Sequence, residues 1–288
     1  MGILYPRERF VGTSTILFPC VTGIFCRYLA VNFGSDAIEC GGGSGCHSGI
    51  AASDEGPNGG APLRNAITVG DDFVVTTDNS GGIGEKPADS VAVPDRLTAY
   101  YAARVALLEQ WAVCAEPTTI LIHNFSGGAS WEKYVAGVTD LFHEAGLELP
   151  PISGSTETNM ELMQSAMAVT MIGKRRQCSV VNRLIWFTYG APLVGQEVLD
   201  YAEQVASLRR IREAIDQGVV SRIWPVGSGG ILKEVRNMMG NAEVLVESTL
   251  DIAKTAGPST VVLLGVLESR KVEAEEWFGK HVSELKIG

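Results

Sequence analysis

What this chain can fold into is constrained most by residues 73–89. Phe73-Val74-Val75-Thr76-Thr77 has the β-branched, apolar texture of a strand, and Asp78 follows it directly. Asn79 and Ser80 lead to Gly81, Gly82 and Gly84, where a backbone without Cβ atoms can turn sharply or let another group approach. A strand that carries a carboxylate to its end and stops in glycines calls for a sheet protein. In α/β proteins ligands gather at such strand ends. A plain turn would use the same glycines, so the choice between turn and site rests on the remainder of the chain.

The 288 residues are 45% hydrophobic, enough apolar material for one large or two modest domains. The net charge of -10 and the scatter of Lys and Arg exclude a broad nucleic-acid surface, which needs a basic stripe. A phosphate-bearing ligand would therefore arrive with bound cations. No apolar run reaches the roughly 20 residues of a membrane span. The chain reads as soluble, with a small-molecule substrate and neither nucleic acid nor membrane as partner.

Six cysteines are dispersed along the chain. Cys40, Cys46 and His47 match no common zinc spacing. Cys114 and Cys178 stand in apolar surroundings and read as small buried hydrophobes in a reducing compartment, so the expected location is cytoplasmic.

Three segments follow from texture. Residues 1–63 form a leader: 13–26 is apolar but too short to span a membrane, and 34–60 is rich in Gly, Ser, Ala and Asp. That leader is either a flexible extension or a mobile loop covering phosphates. Residues 64–173 form the first domain. There, 66–69 and 73–77 suggest a hairpin, and Pro94-Asp95 opens an amphipathic helix with Asp95 as its N-cap. Pro117 ends that helix, and 118–123 is a strand with His123 and Asn124 at its end. A second helix over 130–145 is capped by Gly146, and after a loop and a short helix comes a strand at 166–173. Lys174 to Gln177 marks the boundary with the second domain, 174–288. It contains a strand at 184–189, one long helix over 194–217, a helix at 231–239, a strand at 260–267 and a closing helix over 273–285.

Several of these stretches, in this order, resemble the aminoimidazole-ribonucleotide (AIR) synthase-related superfamily. The Thr76-Thr77-Asp78 strand end with its glycines is similar to that family's first metal and phosphate motif. Glu109, eight positions before Pro117, resembles the helix motif, with Glu where Asp is common and Cys114 where Gly is common. Gly154-Ser155-Thr156-Glu157-Thr158-Asn159 resembles the third motif, with Thr156 inserted before the acid. Gly190-Ala191-Pro192-Leu193-Val194-Gly195, Val226-Gly227-Ser228-Gly229-Gly230 and Ala256-Gly257-Pro258 resemble later landmarks. The likeness spans residues 65–268 and implies an α/β (α+β) architecture, an N-terminal AIR synthase-like sheet-and-helix domain plus a C-terminal α/β domain. It also implies ATP in the cleft between them and a homodimer through the N-terminal sheet.

Within the superfamily the wording around Asp78, His123-Asn124 and residues 154–159 is most similar to α-ribazole kinases, which phosphorylate a nucleoside alcohol used in cobalamin assembly. Alternatives are a selenophosphate synthetase or thiamine-monophosphate kinase type of enzyme, or a non-catalytic nucleotide-binding protein. Phosphoryl transfer needs charge neutralisation and alignment more than covalent help, and carboxylates holding Mg²⁺ supply both in an acidic protein. The resemblance thus implies Asp78, Glu109 and Glu157 as metal ligands. Asn79, Ser80, Gly81, Gly82, Gly84, Lys86, Asn124, Gly154, Ser155, Thr156 and Asn159 are the nucleotide-binding candidates, with Asp78 and His123 as the catalytic pair. Each has a plainer alternative: Asp78 as a turn cap, Glu109 on a solvated helix face, Glu157 as a cap of the next helix, Lys86 as a solvated cation, His123 as a hydrogen-bonded strand residue.

Overall fold

The hairpin forms as expected, with Ala66–Val69 (β1) antiparallel to Phe73–Gly81 (β2) across Gly70, whose φ of 60° is the left-handed turn conformation. This computed structural model describes residues 65–177 and 183–288, all of which fall in one compact unit. The leader and the proposals attached to it, including Cys40 and Cys46, lie outside the described residues.

β2 runs on to Gly81, so Asp78 sits within the strand and not at its end. Two short strands, Ile83–Gly84 (β3) and Val91–Ala92 (β4), pair in parallel and carry the chain to Asp95–Ala112 (α1). Pro94, not Asp95, occupies the N-cap. Asp95 instead joins a reciprocal pair, its amide donating to Glu85 Oε1 at 3.1 Å and its Oδ1 accepting from the Glu85 amide at 3.2 Å. Ala115–Asn124 (β5), Trp131–Ala145 (α2), Ile152–Thr156 (β6) and Ala166–Arg175 (β7) complete the first half. α1 stops before the Cys114 turn (φ 55°), and Pro117 stands inside β5, where the register with β7 shifts between Pro117 and Thr119. That is where a strand can carry a residue without an N–H. The sheet order is β1-β2-β7-β5-β6, antiparallel except for the β5–β6 pair. No helix forms between β6 and β7.

The second half contributes Ile185–Tyr189 (β8), Glu197–Asp200 (α3), Leu208–Asp216 (α4), Arg222–Pro225 (β9), Gly230–Met239 (α5), Val246–Glu247 (β10), Val262–Val266 (β11), Lys271–Phe278 (α6) and Val282–Ile287 (β12). Its sheet, β10-β12-β8-β11-β9, is antiparallel throughout. The long helix expected over 194–217 is broken. Val205 is extended, the Ala206 amide donates to Thr260 O at 3.0 Å, and Ser207 begins α4 by accepting from the Arg210 amide. The closing helix expected over 273–285 ends at Phe278, because Gly279 takes φ 68° and the alternating residues that follow are drawn into β12 beside β8.

α1 is not amphipathic. Every residue of 102–111 is buried, because the helix packs on β2, β5 and β7 on one side and on β9 of the second half on another. One hydrophobic cluster accordingly runs from Leu107 and Ile120 through to Ile223, Val262 and Leu264. The fold class expected from the sequence, mixed α/β with two sheet-and-helix halves, is the one observed.

The outer face of the first sheet, away from α1, is open. It carries Phe73 (45% exposed) together with exposed Thr77, Asn79, Ser153 and Ser155. No helix of the described residues is long and apolar enough to cross a membrane.

Cys114, which takes a positive φ of 55° and is partly exposed, is disulfide-bonded, which corrects its reading as a reduced, buried hydrophobe. Cys178 lies outside the described residues.

Candidate functional site: a cleft between the two sheets

Strand alternation sets the site. Val74 and Thr76 point under α1 and are fully buried, Thr76 Oγ1 donating to Ala106 O at 2.8 Å. Asp78, two residues on along the same face, emerges half-buried into a cavity of about 350 Å³. The first half lines it with Asn65, Asp78, Asn79 and Ser80, with Ile83, Val91 and Val93 of the following loop, and with Leu97, Thr98, Tyr101 and Val105 of α1. The second half closes it with Val194-Gly195, Val198, Leu199, Gly227-Ser228 and Gly257-Pro258. The walls are thus largely aliphatic, with a polar end at Asn65, Asp78 and Ser80. Burial raises the Tyr101 hydroxyl's pKa, Arg104 opposing and Glu144 reinforcing the shift, so it stands in the cleft as a neutral phenol.

Arg104 holds the two sides together. Its guanidinium is 1% exposed and donates to Ala206 O at 2.5 Å and to Ser259 O at 3.2 and 3.3 Å, fixing the chain beside Pro258 to α1.

The other expected site residues distribute differently. Glu109 is buried, its Oε1 accepting from Asn65 Nδ2 at 3.5 Å, so it stands behind a residue of the cleft wall without lining the cleft. Glu157 follows β6, separated from β2 in the sheet by β7 and β5. Its carboxylate accepts from the Asn159 amide at 2.6 Å and the Met160 amide at 3.1 Å, and these bonds hold its pKa below the usual value. Among the described residues no three His, Cys, Asp or Glu side chains group to hold a metal, so Asp78, Glu109 and Glu157 do not converge as one ligand set.

His123 is also separated from Asp78. In the register Asp78 opposes Val169, and Val169 opposes Ile122, all on the helix-covered face. His123, one residue on, therefore points to the open face, where Nε2 lies 3.3 Å from Thr170 Oγ1 and that hydroxyl meets Thr77 Oγ1 at 3.2 Å. The expected catalytic pair is split by the thickness of the sheet.

Two of the expected glycines, Gly84 and Gly154, are required by packing. A Cβ at Gly84 (φ +157°) would lie 2.5 Å from Ser165 Oγ and 2.7 Å from Asp95 Oδ1, and one at Gly154 would lie 1.9 Å from Ile122 O. Of the glycine amides expected to cradle phosphate, that of Gly82 is engaged by the protein, donating to Ser165 O at 2.8 Å. Lys86 Nζ donates to Leu162 O at 2.6 Å. Gly81, at the end of β2, faces open space. Asn124, 1% exposed, donates to Gly127 O and Thr156 Oγ1 and so fastens the ends of β5 and β6, while Ser155 and Asn159 are exposed and away from the cleft.

Asn65, Leu97, Thr98, Tyr101, Val105, Val198 and Leu199 line the cleft but were not among the expected site residues. For those on α1 the helical spacing is the same whether they face a core or a cleft, so nothing in the pattern separates the two.

A mixed sheet and an antiparallel sheet sharing one buried helix, with a cleft between the halves, define an AIR synthase-like fold. No family model and no curated protein matches the chain. Among solved structures, it is similar to a crystal structure of a HypE-HypF complex, with a TM-score of 0.55 at 14% identity over 77% of this chain and 86% of that one. It is similar to the hydrogenase maturation protein HypE in complex with ATP at a TM-score of 0.53 and 13% identity, covering 77% of this chain and 78% of that one. T. maritima PurL complexed with AMPPCP gives 0.52 at 14% identity over 79% of this chain, which spans 42% of PurL. At such identities the likeness is one of fold.

Proposed function

We propose that this chain is an ATP-dependent phosphotransferase that binds the nucleotide in the cleft between its two sheets. The observation that carries this reading is convergence: Asp78-Asn79-Ser80, Val194-Gly195, Gly227-Ser228 and Gly257-Pro258, far apart in sequence, all line one cavity. The ATP complex of HypE and the AMPPCP complex of PurL, both of similar fold, support it.

Magnesium commonly keeps several waters and takes one or two carboxylates plus phosphate oxygens. The donor set fits such an ion in that form, with Asp78 as the carboxylate on the cleft and Asn65 and Ser80 beside it as neutral oxygen donors. When bound, the ion neutralises phosphate charge and aligns the transferred group. The aliphatic walls from Leu97 and Val105 to Val198 and Leu199 exclude water from that end, and the Tyr101 hydroxyl offers a hydrogen bond to a ligand hydroxyl or ring nitrogen.

The acceptor we propose is a nucleoside-like alcohol, with α-ribazole as the candidate on the resemblance of the motifs around Asp78, His123 and residues 154–159. A homodimer formed through the open face of the first sheet would cover Phe73, His123 and their neighbours. Calorimetry with a non-hydrolysable ATP analogue, with and without Mg²⁺, tests the cleft. ADP release that depends on α-ribazole tests the acceptor, and release indifferent to it across a panel of alcohols would remove that candidate. The dispersal of Glu109 and Glu157 favours a second reading, nucleotide binding without turnover. It predicts analogue binding with no ADP from any acceptor.

A further inference from the structure

The carboxylate of the cleft and its driest walls lie at opposite ends, and α1 fixes where each end is. Leu97, Thr98, Tyr101 and Val105 recur along one face of that helix and line the cavity. Asn65 reaches Glu109 of the same helix, and Thr76 Oγ1, two residues before Asp78, bonds Ala106 O, so Asn65 and the strand bearing Asp78 stand beside the later turns. At the other end Thr98 Oγ1 donates to Ile83 O at 3.4 Å, which puts β3 and its partner β4 beside the first turn. From Leu97 to Val105 is a little over two turns, about 12 Å. The volume of about 350 Å³ is at the lower end of small-molecule pockets, roughly 300–1,000 Å³, and suits one nucleoside laid along the helix.

Among the described residues, the end beside the first turn has little with which to read the edge of a ring. Ile83, Val91, Val93 and Leu97 line it with hydrocarbon, and Val198 and Leu199 line the cavity from the second half. Their amides are already committed. Val91 N donates to Gly82 O at 3.2 Å, Val93 N to Gly84 O at 3.0 Å and Leu97 N to Pro94 O at 2.8 Å. Val198 N donates to Gly195 O at 3.2 Å and Leu199 N to Gln196 O at 3.0 Å. The Thr98 hydroxyl and the Ile83 carbonyl are engaged with each other. A polar ring edge buried against such walls loses its water and gains no partner, whereas a bare aromatic edge loses nothing.

We propose that this end of the cleft selects the base of its nucleotide by exclusion: it takes a heteroaromatic ring of low polarity without hydrogen-bonding the ring's exocyclic groups. Adenine, with a single amino group, is admitted; guanine, whose edge carries a carbonyl, a ring N–H and an amine, is turned away. Tyr101 stands one turn from Leu97 and one from Val105, so its hydroxyl meets the sugar that joins the ring to the phosphates. The inference rests on the nucleotide-binding reading of the cleft and adds the physical basis of its choice among bases.

Isothermal titration of the full chain with ATP, GTP and purine riboside 5′-triphosphate, which has hydrogen in place of the adenine amine, tests it in the presence of Mg²⁺. The deaminated nucleotide is expected to bind within about threefold of ATP or more tightly, and GTP at least about tenfold more weakly, because its polar edge is stranded. Leu97→Gln sets a carboxamide among these walls and should narrow the gap between GTP and ATP at least about threefold. Leu97 is only half-buried, so the variant should fold, and far-ultraviolet circular dichroism verifies this. A loss of more than about threefold on removing the amine would show that a protein group reads it, and would overturn the proposal. GTP binding within tenfold of ATP, or an unchanged gap in Leu97→Gln, would do the same while leaving the nucleotide reading of the cleft in place. If no triphosphate binds, purine riboside and guanosine decide: preference for purine riboside keeps the ring site and removes the ATP reading, and failure of both nucleosides removes the two together.

Discussion

Replacing Arg104 with Ala separates what α1 does for the cleft from what it does for the core. The guanidinium is almost wholly buried, and its acceptors are two main-chain carbonyls of the second half, Ala206 O and Ser259 O. A hydrogen bond from a charged donor contributes about 1.5–3 kcal/mol, so losing both acceptors' bonds costs about 3–6 kcal/mol. Removing a buried cation relieves part of its desolvation penalty, which leaves an expected net loss of about 2–4 kcal/mol. For a chain of this size that is roughly 4–16 °C in melting temperature. Urea denaturation followed by circular dichroism and by tryptophan fluorescence gives the free energy directly. Arg104→Met, which keeps the side-chain bulk and removes the donors, should fall with the Ala variant. Affinity for the ATP analogue should weaken as well, because Ser259 adjoins the cleft residue Pro258. A loss below about 0.5 kcal/mol in Arg104→Ala, in the range of ordinary surface changes, would refute the reasoning. Full stability in Arg104→Met would show that bulk, not the donors, holds the halves together.

Three further outcomes follow from the site and its supports. Asp78→Asn should abolish the Mg²⁺ dependence of nucleotide affinity while leaving the fold intact, measured by titration at several magnesium concentrations; an unchanged dependence would exclude Asp78 as the ion's carboxylate. Gly137→Ala should destabilise by about 2–3 kcal/mol in chemical denaturation, because the added Cβ would meet Arg96 O of α1 at 1.9 Å. Acid should loosen the turn after the glycines. Burial acts to raise the Asp89 pKa, but hydrogen bonds from Ser165 and Lys86 outweigh it and the group titrates below its ordinary value. A depressed carboxylate stabilises the fold above its unfolded pKa and loses that contribution as pH falls through the folded one. Amide exchange at Lys86 and Ser165 should therefore accelerate below the usual carboxylate range in the wild type, and Asp89→Asn should flatten that response.

The parts legible in the sequence were those whose cause is local. The hairpin, α1, α2 and β5 were read from β-branched runs, 3.6-residue spacing and the glycine after Ala145, and each formed close to its expected bounds. The misreadings arise where distant groups act on the backbone. Ala206 is pulled out of a helical run by its bonds to Thr260 and Arg104, and residues 282–287 become a strand because β8 offers them an edge. At the candidate site, Asp78 was legible as a strand-borne carboxylate, and the structure places it on the wall of the cleft. Motif spacing could not show that His123, one residue past Ile122 in β5, would point through the opposite face of the sheet. It also could not show that Glu157 would close its own turn, because both outcomes depend on strand order and register.

Because α1 is enclosed by elements of both halves, the chain cannot be divided at residues 174–177 into parts that fold alone. A fragment ending there would uncover the part of α1 on which β9 packs, and the complementary fragment would expose core residues of β9 and β11 such as Ile223 and Leu264. Expressed separately, the pieces should aggregate; mixed during refolding, they should recover the native circular dichroism only as a stoichiometric pair.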